Sequence, residues 1–181
     1  LSQTWGYYKS FQRPKSGKGK VNQNSGAYIF RPTDQEWIPI APLADTSATF
    51  VNTSSVIEVH AAFEEPWIHQ VTRIYAGLPY IEVEYTIGPI PIEDGHGKEV
   101  VKRYSSPQSK SEKTCYTDAN GREFQQRKYN YRPSWVLNVT EPVAGNYYPV
   151  NTAIYTEDGD ASLSIITDRS QGGACLVDGS L

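Results

Sequence analysis

The sequence predicts an all-β protein, built as an antiparallel β-sandwich. Apolar and polar residues alternate in several short runs, turn residues separate these runs about every 8–12 residues, and no helical pattern exceeds one turn. The alternation leaves a polar face on each strand, which favours two packed antiparallel sheets over one parallel sheet. A chain of 181 residues is long enough to bury a core of this kind.

The first part of the chain carries the weaker strand signals. Residues 1–12 are rich in aromatic side chains but alternate imperfectly, so we expect an extended segment there. Residues 15–20 form a basic run with glycine and serine, which is typical of a solvated loop. Residues 24–32 predict a short apolar strand that ends at a proline, and residues 33–42 are rich in turn formers.

The middle of the chain has the clearest pattern. Residues 56–63, 67–75 and 80–87 alternate in short succession, which predicts three antiparallel strands in meander order. Residues 88–92 cannot continue a central strand, because their two prolines remove two backbone donors. Residues 98–104 are predicted to return as a further strand.

Turn chemistry predicts two hairpins in the last third. Asn120-Gly121 separates the runs 114–118 and 122–128, and Asn-Gly readily adopts the positive φ angles that tight hairpins need. Asp158-Gly159 separates 151–156 from 161–167 in the same way, so we predict a two-stranded ribbon there. About nine or ten strands result in total.

Residues 141–149 are predicted to form a shaped loop. Pro142, Gly145 and Pro149 disfavour a helix, because proline has no N–H to donate and glycine loses the most entropy on ordering. Further along, Gly172-Gly173 indicates another turn.

Composition narrows the range of functions. The net charge of −3 argues against nucleic acid as a partner, because phosphate binding needs clustered cations. No apolar run approaches the roughly 18 residues of a membrane helix, so no membrane partner is expected. The chain contains no methionine, from which we expect it to be a piece of a larger polypeptide.

Two cysteines and two glycosylation sequons are present. Cys115 and Cys175 permit one disulfide, but the sequence leaves open whether the two Cα atoms lie close enough to form it. Asn52-Thr53-Ser54 and Asn138-Val139-Thr140 would accept glycans if the chain follows the secretory route. Asn138 is the stronger candidate, because it precedes the proline-bounded loop.

Five segments taken together resemble a known family. In chain order they are NSGAYIFRP (24–32), GPIPI (88–92), YTDANGRE (116–123), LNVTEPVAGNYYPVN (137–151) and TDRSQGG (167–173). Their sequences and their order resemble the C-terminal β-portion of zinc-dependent α-mannosidases of glycoside hydrolase family 38, and the resemblance covers most of the chain. The basic run and the cysteines resemble the plant vacuolar type more than the animal lysosomal type.

The resemblance implies a galactose-mutarotase-like β-sandwich region within a larger retaining enzyme that removes terminal non-reducing α-D-mannose from N-glycans. In this family a zinc ion holds the sugar hydroxyls, one aspartate attacks C1 and a second protonates the leaving oxygen. The motifs that carry these groups belong to an N-terminal catalytic polypeptide and do not occur here. The implied partners are therefore that polypeptide, a mannose-containing glycan and a second copy in a homodimer of processed chains, in a vacuole or lysosome.

One site residue carries over from the family. The tyrosine of the S-G-A-Y motif hydrogen-bonds a substrate hydroxyl, and in this sequence it is Tyr28. The alternative for Tyr28 is a strand residue packed in the core. A rival function is a stand-alone carbohydrate-binding module, since 13 tyrosines could stack on sugar rings; a purely structural domain is a third alternative.

Catalysis by this chain alone is not favoured. Hydrolysis of a glycosidic bond needs two carboxylates about 5–10 Å apart with opposed pKa values. The neighbouring acidic pairs are Glu64 with Glu65, Glu82 with Glu84, and Asp158 with Asp160. Glu82 and Glu84 share a strand face that is predicted to be solvated, and the three histidines, His60, His69 and His96, do not have the spacing of a zinc site.

Overall fold

The computed structural model describes residues 1–11, 30–43, 48–106, 109–159 and 161–181. These residues form antiparallel strands and one short 3-10 helix, Ala144–Asn146, so the all-β prediction is confirmed. The strands are β1 (Ser2–Lys9), β2 (Ile38–Ile40), β3 (Thr49–Asn52), β4 (Val56–Ala62), β5 (Ile68–Tyr75), β6 (Ile81–Ile87), β7 (Lys98–Ser105), β8 (Thr114–Asp118), β9 (Phe124–Lys128), β10 (Tyr148–Val150), β11 (Ala153–Glu157), β12 (Ser162–Ile166) and β13 (Gln171–Gly173). Across these ranges, no helix has the length and apolar character needed to span a membrane.

Strand β1 is the centre of a three-stranded sheet with the order β2-β1-β7. It buries Trp5 on one face and Tyr8 on the other, each only 3% exposed. Burial of both faces explains why the alternation in this segment is imperfect, since both faces must be apolar. Gly6 lies where any larger residue would clash with the Trp37 ring, so the close approach of β2 requires glycine.

Strands β3 to β6 form a four-stranded sheet in simple meander order, as predicted for its last three strands. The β4–β5 ladder runs from Val56–Tyr75 to Ala62–His69. Strand β3 was missed in the sequence, because all four of its residues are exposed and leave no alternation to detect.

The last sheet has the order β12-β11-β8-β9 and contains both predicted hairpins. Asn120 and Gly121 have φ angles of 55° and 70°, and Gly159 has a φ angle of 92°. These are the positive values that the turn residues suggested. The sequence did not reveal the pairing of β11 with β8, which joins the hairpins into one sheet.

The prediction of a turn at Gly172-Gly173 was wrong. Both glycines belong to β13, which pairs with β10. A Cβ at Gly173 would lie 2.6 Å from Val150 Cγ2 and 2.9 Å from Ile154 Cδ1, so glycine here serves close packing instead of chain reversal.

The outcome in residues 24–42 is mixed. The predicted strand 24–32 falls largely outside the described residues; within them, Pro32 forms an isolated bridge with Ser10. The stretch 33–42, which was predicted to consist of turns, contains β2.

The described residues form two apolar cores. The first lies between the sheets of β1 and β5 and is centred on Trp5, Ile40, Phe63, Trp67 and Ile68. The second contains Val150, Ile154 and the disulfide between Cys115 and Cys175, whose Cα atoms are 6.0 Å apart. The disulfide that the sequence left open is therefore present, and it ties β8 to the segment after β13.

A polar junction lies inside the first core. The Trp5 indole N–H donates to Gln70 Oε1 over 2.9 Å, and Lys102 Nζ donates to the same oxygen. The ammonium also lies 4.6 Å from the Trp5 ring and 5.2 Å from the Tyr104 ring. Burial lowers the pKa of Lys102 to about 7, because the charged form loses its hydration.

We predict that Lys102→Met stabilises the protein more in acid than in base. The folded-state pKa of about 7 lies below the ordinary lysine value of about 10.4, so the cost of charging Lys102 is fully present below pH 7 and fades as pH rises towards 10. Calorimetry of the protein should show an unfolding temperature raised by several degrees at pH 5 and by less at pH 9. An equal gain at both pH values would contradict the assignment.

Candidate functional site

The predicted sugar-contacting residue, Tyr28, lies outside the described residues. The described chain resumes at Phe30, two positions later. The candidate site is therefore built from the residues that hold the chain immediately after Tyr28.

Backbone and ring contacts fix this chain segment to the end of β1. The Phe11 N–H donates to the Arg31 carbonyl over 2.8 Å, and the Thr33 N–H donates to the Lys9 carbonyl over 2.9 Å. The Thr33 hydroxyl donates to the Ser10 carbonyl over 2.7 Å, and the Arg31 guanidinium lies 4.4 Å from the Phe11 ring centroid. Residues 31–33 therefore have a fixed position relative to the first sheet.

Four rings form an aromatic cluster around Phe30, comprising Tyr8, Phe30, Trp37 and Tyr147. The Phe30 ring lies 5.7 Å from Tyr8 and 4.9 Å from Tyr147, both in edge-to-face geometry. Tyr8 also meets Trp37 at 5.8 Å, and the Arg103 guanidinium covers Trp37 at 4.2 Å. Burial raises the pKa of Tyr8 and the Arg103 charge opposes this, so the phenol is neutral across the physiological range.

The predicted loop at 141–149 positions Tyr147 within this cluster. Its 3-10 turn, Ala144–Asn146, ends in a buried asparagine that satisfies three groups at once. Asn146 Nδ2 donates to Asn130 Oδ1 and to the Pro142 carbonyl, each over 2.8 Å, and its Oδ1 accepts the Asn130 N–H over 2.9 Å. The shaped-loop prediction is confirmed for most of 141–149, but its last two residues belong to β10.

The buried carboxylate of Asp118 ties two more of the family-like segments together. Asp118 Oδ1 accepts the backbone N–H groups of Asn151, Thr152 and Ala153 over 2.8–3.2 Å. Asp118 Oδ2 accepts the Gly121 N–H over 2.9 Å. These backbone bonds, with that of Thr152 the strongest, hold the pKa of Asp118 well below its usual range.

A third family-like segment joins at the same corner. The Ser170 hydroxyl donates to Asn151 Oδ1 over 3.0 Å, and Asn151 Nδ2 donates to Asn120 Oδ1. Segments 116–123, 137–151 and 167–173 thus meet in one hydrogen-bonded corner, which the linear sequence did not reveal.

The acidic pairs considered from the sequence have structural roles. Arg73 Nη1 bonds Glu82 Oε1 at 2.9 Å and Glu84 Oε2 at 2.7 Å, and Arg73 Nε bonds Glu58 Oε1 at 2.6 Å. His60 Nε2 lies 3.0 Å from Glu58 Oε2. Arg73, and then His60, lowers the pKa of Glu58, which makes this carboxyl a poor proton donor.

The remaining acidic and histidine candidates are dispersed. Glu65 accepts the Trp67 indole N–H over 2.6 Å, and Asp158 accepts the Ala161 N–H in its hairpin turn. Glu64 and His69 are exposed, His96 lies in the loop before β7, and Asp160 is outside the described residues. Within the described ranges, no group of three or more His, Cys, Asp or Glu residues is placed to hold a metal ion.

Both sequon asparagines are accessible. Asn138 is exposed in an extended segment without regular structure, and Asn52 is exposed at the end of β3. The neighbouring Trp135 and Val136 are 59% and 98% exposed.

A comparison with known protein families gives the same family as the sequence segments that meet at this corner. The model of the glycosyl hydrolases family 38 C-terminal domain matches residues 1–181. The chain belongs to this family.

Family 38 relatives occur in animals and plants. The chain is 52% identical to the lysosomal α-mannosidase of Mus musculus over 91% of its length, which is 16% of that protein. It is 44% identical to a probable α-mannosidase of Arabidopsis thaliana and 43% identical to the α-mannosidase of Canavalia ensiformis, each over 100% of this chain and 17% and 18% of the relative. The chain thus spans less than a fifth of these relatives, and the plant-like character stays a prediction.

We predict that Asp118→Asn loosens the corner of this family 38 domain. An asparagine keeps one acceptor oxygen but turns an NH₂ group towards the Gly121 N–H, so this donor loses its partner. The unfolding temperature of the protein should fall by several degrees. Asp168→Asn, at an exposed aspartate in the neighbouring loop, is the matched control and should change it little.

The same variant has a defined pH dependence. The depressed pKa means that the native carboxylate stabilises the fold in full above the unfolded value of about 4 and loses this effect as pH falls further. The difference between native protein and Asp118→Asn should therefore persist at pH 5 and shrink below pH 4. A difference that grows below pH 4 would contradict the ionised state of Asp118.

Proposed function

We propose that this chain is the C-terminal β-portion of a zinc-dependent, retaining α-mannosidase that hydrolyses terminal non-reducing α-D-mannose residues of N-glycans. The observation that carries the proposal is the family match over the whole chain, together with relatives named α-mannosidases at 41–52% identity. The activity belongs to the whole enzyme, of which this chain is one part.

The described residues suit a supporting role. Several of their carboxylates have structural roles: Asp118 accepts backbone N–H groups, Glu58 pairs with Arg73, and Asp158 lies in a hairpin turn. We assign the nucleophile, the acid and the zinc ligands to the N-terminal catalytic polypeptide. On that polypeptide, zinc would coordinate the sugar hydroxyls. We assign no part in binding zinc to the described residues.

Tyr28 is the residue that we assign to the mannose pocket. A phenol can both donate to and accept from a sugar hydroxyl, and its value depends on precise placement. Support comes from the residues that follow it. The Phe30 ring packs against Tyr8 and Tyr147, and the Thr33 N–H donates to the Lys9 carbonyl at the end of β1. These contacts fix the position of the chain from Phe30 onwards.

We predict that Tyr28→Phe lowers kcat/KM for an α-mannoside about 10-fold to 100-fold in the full-length enzyme, which corresponds to about 1–3 kcal/mol for a hydrogen bond to substrate. 4-Nitrophenyl α-D-mannoside is a suitable substrate. Tyr131→Phe removes the hydroxyl of an exposed tyrosine and is the matched control. An unchanged kcat/KM for Tyr28→Phe would remove this residue from the site.

We also propose passage through the secretory route to a vacuole or lysosome, in keeping with the names of the animal relatives and with the disulfide. Assembly as a homodimer of processed chains belongs to the same proposal. Asn138 and Asn52 are then the candidate glycan acceptors.

On this proposal Asn138→Gln should lower the mass of the secreted enzyme by one N-glycan, as measured by intact mass spectrometry before and after glycosidase treatment. Asn52→Gln tests the second sequon in the same way. An unchanged mass in the Asn138 variant would show that this exposed sequon is not used.

A further inference from the structure

The sheet β3-β4-β5-β6 has two chemically different faces. One face carries the ion-pair network in which Arg73 binds Glu58, Glu82 and Glu84. These charged side chains are paired and partly exposed to water, so this face is suited to solvent.

The opposite face is apolar, and only half of it is covered. The covered half lies at the end of the sheet where β6 runs into Gly88, and β1 and β7 pack over it. Its residues, which pair across the strands, are Ala61, Gln70, Tyr85, Ile68 and Ile87. The Tyr85 ring meets the Trp5 ring at 5.1 Å, which marks the covered half of the face.

At the other end, the described residues leave the same face exposed. Ile57, Ile74 and Ile81 stand directly opposite one another on three neighbouring strands, and Phe50 lies in the next row opposite Val59. Phe50 is 66% exposed and the three isoleucines are 40–47% exposed. We call these four residues the open apolar patch.

The chemistry of the patch limits what can cover it. Its neighbour Thr72 already accepts a hydrogen bond from Gln70 Nε2 over 3.0 Å, and Asn52 borders the patch only at the edge strand. A sugar needs polar partners for its hydroxyls and an ionic partner needs charge, neither of which the patch offers. Burying these partly exposed isoleucines against an apolar surface would instead stabilise the contact.

We propose that the open apolar patch packs against polypeptide of the same enzyme that lies outside residues 1–181. The matched region is only 16–18% of the length of the relatives, so most of an enzyme of that length remains to provide the cover. Polypeptide that is synthesised as one chain with residues 1–181 has a high effective concentration during folding, before any processing, which favours it over a second copy. The proposal rests on the proposed function in one respect, that the chain is part of a larger enzyme.

Site-specific photo-crosslinking in the full-length enzyme tests this contact. The photoreactive residue p-benzoylphenylalanine is placed at position 74, and in a control enzyme at position 69, where His69 is exposed on the charged face of the same strand. Light and isotope-labelled enzyme are mixed under conditions that let subunits exchange before irradiation, so that mixed-isotope products identify crosslinks between copies. Peptide mass spectrometry then identifies the partner segment.

The expected result is a crosslink from position 74 to a peptide outside residues 1–181 of the same molecule, without a corresponding product from position 69. A crosslink to a second copy, or no polypeptide product at position 74, would overturn the proposal. Mannosidase activity is measured on the same samples. An active enzyme without the crosslink overturns the patch alone, whereas an inactive enzyme with the crosslink counts against the mannosidase function alone.

A stability measurement gives a second readout. Ile74 is 43% exposed in this chain, so a charge there would cost little if the patch faced water. Under the proposal, Ile74→Glu lowers the unfolding temperature of the full-length enzyme by several degrees, while His69→Glu changes it little. Equal unfolding temperatures for the two variants would contradict the proposal that position 74 is covered.

Discussion

The contact of Trp5 with the meander sheet is the constraint from which the first half of the structure follows. Its indole N–H donates to Gln70 on β5 and its ring meets Tyr85 on β6, so β1 is fixed face-on to the meander. Side chains alternate along a strand, and Tyr8 must therefore point to the other side of β1. That side carries the ring contact with Phe30, so the packing of the core also orients the segment that follows Tyr28.

Acid affects Asp118 and Lys102 in opposite ways. Asp118 is ionised and accepts four backbone N–H groups, so mild acid leaves its contribution intact. Lys102 has the Gln70 amide oxygen and two aromatic rings beside it to offset its lost hydration, and it becomes charged below about pH 7. At pH 5 the corner at Asp118 therefore keeps its ionised carboxylate, while Lys102 carries a charge beside the Trp5 ring.

The sequence predicted those elements whose formation depends on residues close together in the chain. The Asn120-Gly121 turn and the alternation in β4, β5 and β6 were readable, because positive φ angles and a half-buried strand each leave a direct trace in the sequence. The corner at Asp118, the pairing of β11 with β8 and the buried Lys102 were not readable, since each depends on residues far apart in the chain. Gly172-Gly173 was misread because glycine marks close packing as well as turns. The assignment of Tyr28 rests on the family resemblance alone, whereas the contacts of the residues after it were found only in the structure.

A residue that only hydrogen-bonds a substrate needs a rigid support more than it needs reactive neighbours. A misplacement of about 1 Å can cost as much as removal of the group, so the supporting residues must each have a fixed position. The structure provides this through contacts between distant segments, with Asn146 closing its loop and Tyr147 meeting Phe30. Such contacts form only when both sheets and the loop are in place. If Tyr28 contacts the sugar, as proposed, its position would therefore depend on the packing of Phe30 with Tyr8 and Tyr147.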